Sequence, residues 1–336
     1  MPVTIKDLSQ HCGLSVSAIS KALNNYTDIS EETRAYVRKV AAEMGYFPNA
    51  QARALKTNRS YNIGVVYEDG NHYGLNHYYF TSLLNAFKSA VEAHGYDVTF
   101  INKNIGNGQL SYLNHCRYRS MDGALIACVD FYNPEVVELS QSSVPVVTID
   151  HLFAGCACVI SDNRAGIRDL VRHVAQLGHT RIAMIHGEFS AVSDSRMSSF
   201  YETMNQLGLP VTPEYVIGSL YHNAEASREA TQKLLALPER PSCILMSDDY
   251  AALGGIEAIS EAGLRIPEDI SIAGYDGILM SQLIRPRLTT IQQDTERIGK
   301  EAALLLVQRI EHRKDPPSAP MIIPGRLILG ETVASI

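Results

Sequence analysis

The chain lacks any cysteine pair at C-x-x-C spacing. Its six cysteines stand at 12, 116, 128, 156, 158 and 243, and Cys156 and Cys158 have no His or Cys neighbours at zinc-site spacing. Reduced, mostly buried thiols are expected, with no metal and no cofactor. No apolar run approaches the ~18 residues that a membrane helix needs. The start MPVTIKDLSQ carries Asp7 and no apolar segment behind a basic cluster, so it does not read as a secretory signal, and a cytoplasmic location is expected. Catalytic signatures are missing as well. There is no G-x-S-x-G elbow, P-loop or H-E-x-x-H, and the glycines at 106 and 108 form an isolated turn signal. A non-enzyme is expected.

What is present is an ordinary globular composition, 46% hydrophobic and 19% charged, over 336 residues, a length that favours two or three units. The net charge of −7 is unevenly spread. Residues 1 to 60 hold eight basic side chains (Lys6, Lys21, Arg34, Arg38, Lys39, Arg53, Lys56, Arg59) against five acidic ones (Asp7, Asp28, Glu31, Glu32, Glu43), a net +3 that leaves −10 for the remainder. A basic head on an acidic body is the pattern expected when only the head meets phosphates.

The first sixty residues read as helical, and from Tyr61 onward apolar strand candidates alternate with amphipathic helices. Strands are expected at 62–67, 97–101, 123–128, 145–150, 181–186, 243–247, 270–276 and 325–333, and helices at 80–95, 164–178, 225–237 and 251–263. Near-continuous apolar strands belong in sheets covered on both faces. The order predicts an α/β fold of parallel doubly wound sheets in two lobes, with a TIM barrel as the competing architecture. Ligand loops should follow the carboxyl ends of the strands.

Within the head, Thr4 caps a helix carrying Ile5, Leu8 and Cys12, Gly13 breaks it, and Ser15 caps a second helix. Ile19 and Leu23 would pack inward, leaving Val16, Ser17 and Lys21 to face a major groove. A third helix over 30–45 adds Val37, Val40 and Met44 to the same small core. A helical bundle for protein contact is the plainer alternative.

The run TIKDLSQHCGLSVSAISKALN, followed by ISEETRAYVRKVAAEMGYFPNAQARALKTNRS, resembles the headpiece and hinge of the lactose-repressor (LacI/GalR) family without a gap. The resemblance continues through 161–187, 246–277 and 286–294. It implies a headpiece over 1–47, a hinge helix and linker over 48–60, and an effector-binding and dimerisation body of the periplasmic-binding-protein type over 61–336. Lobe one would span about 61–160 and 292–318, lobe two about 162–290 and 321–332. By the same resemblance Thr4, Ser15, Val16, Ser17, Ser20, Lys21 and Asn24 contact operator DNA. So do Asn49, Ala52, Arg53, Leu55 and Lys56 of the hinge, with Leu55 as the wedge that unstacks a central base step. Lys21 stands where the family often has Arg and lacks Arg's bidentate fork. Segment 48–60 is too short and polar for a stable isolated helix, so it should fold on its target.

For the effector, expected to be a sugar with a purine or other metabolite as the alternative, recognition calls for carboxylates and guanidinium paired to vicinal hydroxyls. Position in the family implies Asp276, Arg196, Asp150 and Asp248, although Ser199 replaces a usual Gly near Arg196. Asp248 and Asp249 could instead cap the helix that follows. The Tyr- and His-rich stretch 67–80 offers Tyr67, His72 or Tyr73, and Tyr221 is a further stacking candidate. The resemblance also implies a homodimer on a pseudo-palindromic operator, since one headpiece reads a half-site. No heptad segment follows the last strand, and residues 329–332 depart from the family's usual Arg-x-Ser-Thr. A sugar-binding sensor acting through protein contacts, or an exported binding protein, is the competing class.

Overall fold

The computed structural model describes residues 3–47, 59–68, 74–105 and 108–336. Among the expected site residues, Asn49, Ala52, Arg53, Leu55, Lys56, His72 and Tyr73 lie outside these segments. The chain divides into two compact units, residues 1–61 and 62–336.

The first unit is a three-helix head: α1 (Ile5–Cys12), α2 (Val16–Leu23) and α3 (Glu31–Met44). Each helix begins on a side-chain cap, because the first N–H groups of a helix have no partner within it. Thr4 and Asp7 form a reciprocal capping box, Ser15 accepts from the Ala18 N–H, and Ser30 accepts from the Thr33 N–H. Gly13 ends α1 in the left-handed region. Leu8, Ile19, Ala22, Val37, Val40 and Ala41 form the buried core, with Ile5, Cys12, Leu23 and Met44 packed partly buried at its edge.

In the second unit the first lobe starts with β1 (Asn62–Tyr67), α4 (Tyr78–Ala93), β2 (Asp97–Phe100) and a short hairpin, β3 (Asn104–Ile105) and β4 (Gly108–Gln109). It continues through α5 (Tyr112–Tyr118), β5 (Gly123–Ala127), α6 (Pro134–Ser140), β6 (Val146–Ile149) and β7 (Ala157–Ser161). The chain then crosses to the second lobe: α7 (Asn163–Gln176), β8 (Ile182–His186), α8 (Ala191–Gln206), β9 (Val216–Gly218), α9 (Ala224–Leu235), β10 (Cys243–Leu245), α10 (Asp249–Glu261), β11 (Ser271–Asp276), α11 (Leu279–Leu283) and β12 (Thr289–Gln292). It returns for α12 (Thr295–Glu311) and β13 (Met321–Ile323), and crosses a third time into β14 (Arg326–Ile328).

Two six-stranded sheets result, ordered β13-β7-β6-β5-β1-β2 and β14-β12-β11-β10-β8-β9. All neighbours are parallel except β12 and β14. The strand interiors are buried along nearly their whole length, as sheets with both faces covered require. Two contacts admit only glycine. A Cβ at Gly254 would meet the Ala224 carbonyl oxygen at 1.8 Å, and one at Gly299 the Leu83 carbonyl oxygen at 2.3 Å, so α10 lies directly on α9 and α12 directly on α4.

The strand expected over 325–333 is shorter, 326–328, and the expected placing of 321–332 in lobe two is corrected for residues 321–323. The segment 321–328 is split at Pro324 and Gly325 into β13, which pairs with β7 in the first lobe, and β14, which pairs with β12 in the second. Residues 321–323 thus belong to the first lobe's sheet. All six cysteines are free thiols. Among the described residues no helix is long and apolar enough to cross a membrane.

Candidate functional site

On the head, α2 presents Val16 at 40% exposure beside an exposed Ser17, with Ser20 and Lys21 one turn further on. Lys21 does not project freely. Its ammonium pairs with Asp28, which raises the lysine's pKa and lowers that of the aspartate. Thr4, Ser15 and Asn24 have side chains occupied locally: two are caps, and Asn24 donates to the Ser20 carbonyl at 2.7 Å. What remains outward is a small apolar and hydroxyl surface at a helix N-terminus, whose N–H groups favour anions.

In the body the carboxyl ends of the strands of both lobes converge on one guanidinium. Arg196, on α8, is 5% exposed. Its Nε donates to Asn163 Oδ1 at 2.7 Å and its Nη1 to the Ser247 carbonyl at 2.7 Å. The Tyr275 ring lies beneath it at 3.6 Å and Asp276 Oδ1 lies 3.9 Å from Nη2. Burial opposes its charge, but Tyr221, Tyr275, Asp276 and Asp150 outweigh that cost and hold the group more basic than usual.

Asp276 ends β11 in the left-handed region (φ 100°), which turns its carboxylate out of the sheet, where Oδ1 accepts from Gln293 Nε2 at 2.6 Å. Burial pushes its pKa up to about 7, opposed by Arg196 and aided by Asp248 and Asp150. Asp150, just past β6 and also at positive φ (58°), comes from the other lobe. It accepts from the Ser161 N–H at 2.9 Å and from the Tyr79 hydroxyl at 3.2 Å, and burial raises its pKa. Gln293 Oε1 is buried without a hydrogen-bond partner among the described residues.

Of the residues expected at the effector site, Arg196, Asp276 and Asp150 lie together, and Tyr221 joins their edge. Its ring lies 5.8 Å from the Arg196 guanidinium, and its hydroxyl shares a 2.9 Å hydrogen bond with Ser193. Asp248, expected as an effector contact or as a helix cap, is the cap of α10. Its Oδ1 accepts from the Ala251 N–H at 2.8 Å, and its Oδ2 from the His222 N–H at 2.8 Å and the Ser247 hydroxyl at 3.2 Å. Asp249 is bound to Thr290 and the Ile278 N–H instead. The Tyr67 hydroxyl donates to the Gly74 carbonyl at 2.7 Å and its ring stands edge-on to Phe80.

Sequence reasoning missed Tyr79, Gln293 and a ring stack across the cleft. His77 of the first lobe stacks on His222 of the second at 4.1 Å, and His222 packs on Tyr250 at 3.8 Å. A signal for Tyr79 and His77 lay in their place at the start of α4, directly after the first strand's loop, where an open α/β sheet binds ligands. Among the described residues no group of His, Cys, Asp and Glu is placed to hold a metal ion.

Residues 4–49 match the sequence profile of "Bacterial regulatory proteins, lacI family", and residues 171–333 that of the "Periplasmic binding protein-like domain". Among similar curated proteins, the "HTH-type transcriptional repressor PurR" of Pectobacterium carotovorum subsp. carotovorum is 30% identical over 93% of this chain and 92% of its own length. The protein of that name from Pasteurella multocida is 30% identical over 99% of both. Among solved structures, a lac repressor dimer bound to operator and the anti-inducer ONPF superposes with a TM-score of 0.85 at 25% identity, covering 99% of this chain and 100% of that one. With a helix-turn-helix head matched at one end, a two-lobed body matched at the other and relatives aligned from end to end, the chain belongs to the lacI family of bacterial regulatory proteins and is a DNA-binding transcriptional repressor, not an enzyme.

Proposed function

We propose that the chain works in the cytoplasm as a homodimer whose grip on a pseudo-palindromic operator is set by a sugar bound between the lobes. The observation that carries the effector reading is the cluster of Arg196, Asp276 and Asp150, drawn from both lobes, with the guanidinium buried and the two carboxyl groups partly so. Two carboxylates and an amide oxygen without a partner form an acceptor-rich site beside one fixed fork of donors. Vicinal hydroxyls, each able to donate and accept, complement that set. Tyr221 and the His77, His222 and Tyr250 rings supply faces for the apolar side of a pyranose or furanose.

On the DNA side residues 1–47 are the headpiece, 48–60 the hinge and linker, and 61–336 the effector and dimerisation body. Val16, Ser17, Ser20 and Lys21 read the groove. The hinge residues Asn49, Ala52, Arg53, Leu55 and Lys56 hold the minor groove, with Leu55 as wedge. The effector changes the angle between the lobes and with it the cost of folding paired hinges on DNA. That is a coupling of ~1–3 kcal/mol which acts equally in both directions.

A thermal-shift screen against a panel of sugars and purines tests the effector. A sugar is expected to raise the melting temperature, and Arg196→Gln or Asp276→Asn to abolish the rise. A purine hit without any sugar hit, or a rise that survives both variants, overturns the sugar reading. For the hinge, Leu55→Ala should weaken operator binding in a gel shift and spare effector affinity. Equal loss of both would refute the wedge.

A further inference from the structure

Outside the cleft, the first lobe carries a second concavity of about 390 Å³. It lies at the opposite ends of the strands from Asp150: its wall is the end of α6 (Ser140, Ser142, Ser143), the entry to β6 (Val144, Pro145, Val146) and the entry to β7 (Gly155, Cys156). Across from these stand Arg309, in the last turn of α12, and Arg313 just beyond it. Neither arginine makes an ion pair with a described residue, although two guanidinium groups four residues apart repel one another.

Protein acceptors use only part of their donor capacity. Arg309 Nη1 donates to the Asp315 carbonyl and Arg313 Nη2 to the Asp122 carbonyl at 3.3 Å. Arg309 Nε is buried with no hydrogen-bond partner among the described residues. Its charge is felt inside the cavity, where it opposes the rise that burial imposes on the Cys156 thiol's pKa. The dipole at the end of α12 accounts for basic residues there, but not for a buried N–H left unused on a residue that lines a cavity. A guanidinium edge that lacks a carboxylate fits the paired oxygens of a phosphate. The opposite wall is apolar at Val144, Pro145 and Val146, and the volume falls in the ~300–1,000 Å³ range of small-molecule sites, well above what a bare ion fills.

We propose that this cavity is a second ligand site, separate from the interlobe cleft, for a phosphate monoester carrying a small organic group. Arg309 and Arg313 hold the phosphate, and the Val144–Val146 wall takes the organic part. The probe is phenyl phosphate added to the full-length protein, followed by isothermal titration and by 31P line width, with inorganic phosphate and phenol in parallel. Saturable binding of phenyl phosphate is expected, tighter than either control. Arg313→Gln and Arg309→Gln should each weaken it at least about tenfold, the factor that a lost charge-assisted hydrogen bond carries. Arg313 is exposed, so R313Q is expected to leave the melting temperature unchanged and keeps the test valid if R309Q destabilises the lobe. Arg196→Gln in the cleft should leave phenyl phosphate binding intact. No saturable binding at millimolar concentration, binding that persists in the double arginine variant, or binding lost in R196Q would each overturn the proposal.

Discussion

Replacing Asp276 by Asn removes a carboxyl whose protonation the fold controls. In the native state burial pushes this group up to about 7, whereas in the unfolded chain it titrates near its ordinary 3.8. Between those values the native protein holds a proton that the unfolded chain has released, so native stability falls as pH rises through that window. The contribution is fully present below pH 3.8 and gone above 7. A tenfold difference in proton affinity is worth ~1.4 kcal/mol, so the span is on the order of a few kcal/mol, shared by Asp276 with the charges around it on Arg196, Asp248 and Asp150. Asparagine has no proton to lose. Wild type should therefore lose several degrees of melting temperature between pH 5 and 8 relative to its own maximum, while D276N shows a flatter profile over the same interval. Calorimetry across that range on both proteins reads the effect directly. Asp150 and Asp249 are raised in the same direction and remain in the variant, so a residual slope is expected. Superimposable profiles, or a steeper one for D276N, would refute the account.

Three further outcomes follow from packing and capping. Leu8→Ala empties the centre of the head's core and should cost ~2–5 kcal/mol, melting the head and abolishing operator binding while the body's calorimetric transition stays in place. Gly254→Ala drives a methyl into the Ala224 carbonyl and should destabilise the body by ~1–3 kcal/mol or more, lowering the body's calorimetric transition in the full-length protein while the head's own transition stays in place. Ser15→Ala deletes the cap of α2 and should lower head stability by ~1 kcal/mol, measured by urea unfolding of residues 1–47.

The head was legible nearly to the atom because its determinants are local. A hydroxyl at Thr4, Ser15 or Ser30 followed by a helical apolar stripe fixes both where a helix starts and which face it buries. The strands were legible for a related reason: a strand covered on both faces must be apolar throughout. The C-terminal segment was not. Whether Met321–Ile323 joins the first sheet or the second is decided by where β7 lies, 162 residues earlier in register, and only the Pro324–Gly325 break hinted that the run divides. At the cleft, Arg196 and Asp276 were singled out because the family resemblance carried them over by position and their types suit hydroxyl recognition. Tyr79 could not, since a buried tyrosine on an amphipathic helix looks like core until Asp150 is seen beside its hydroxyl. Asp248 shows the converse: a carboxylate in the right place whose oxygens the backbone has already taken.

The three crossings between lobes have a consequence for how the protein is made. The head needs nothing beyond its own helices and can fold as soon as α3 has left the ribosome, domains of this kind folding in N-terminal order during synthesis. The first lobe cannot follow it. Ile298, Ala302, Leu306 and Ile310 of α12 are buried within it, with Gly299 set against the Leu83 backbone, and β13 lies at its edge. These parts emerge only after the whole of α7 to β12 has been synthesised. Until then α4 and β5 wait with an uncovered apolar surface, while the second lobe has most of its sheet to hand. The nascent chain therefore passes through a state in which the middle of the protein can fold before the part that precedes it, and any delay in translation beyond residue 292 prolongs the exposure of that surface.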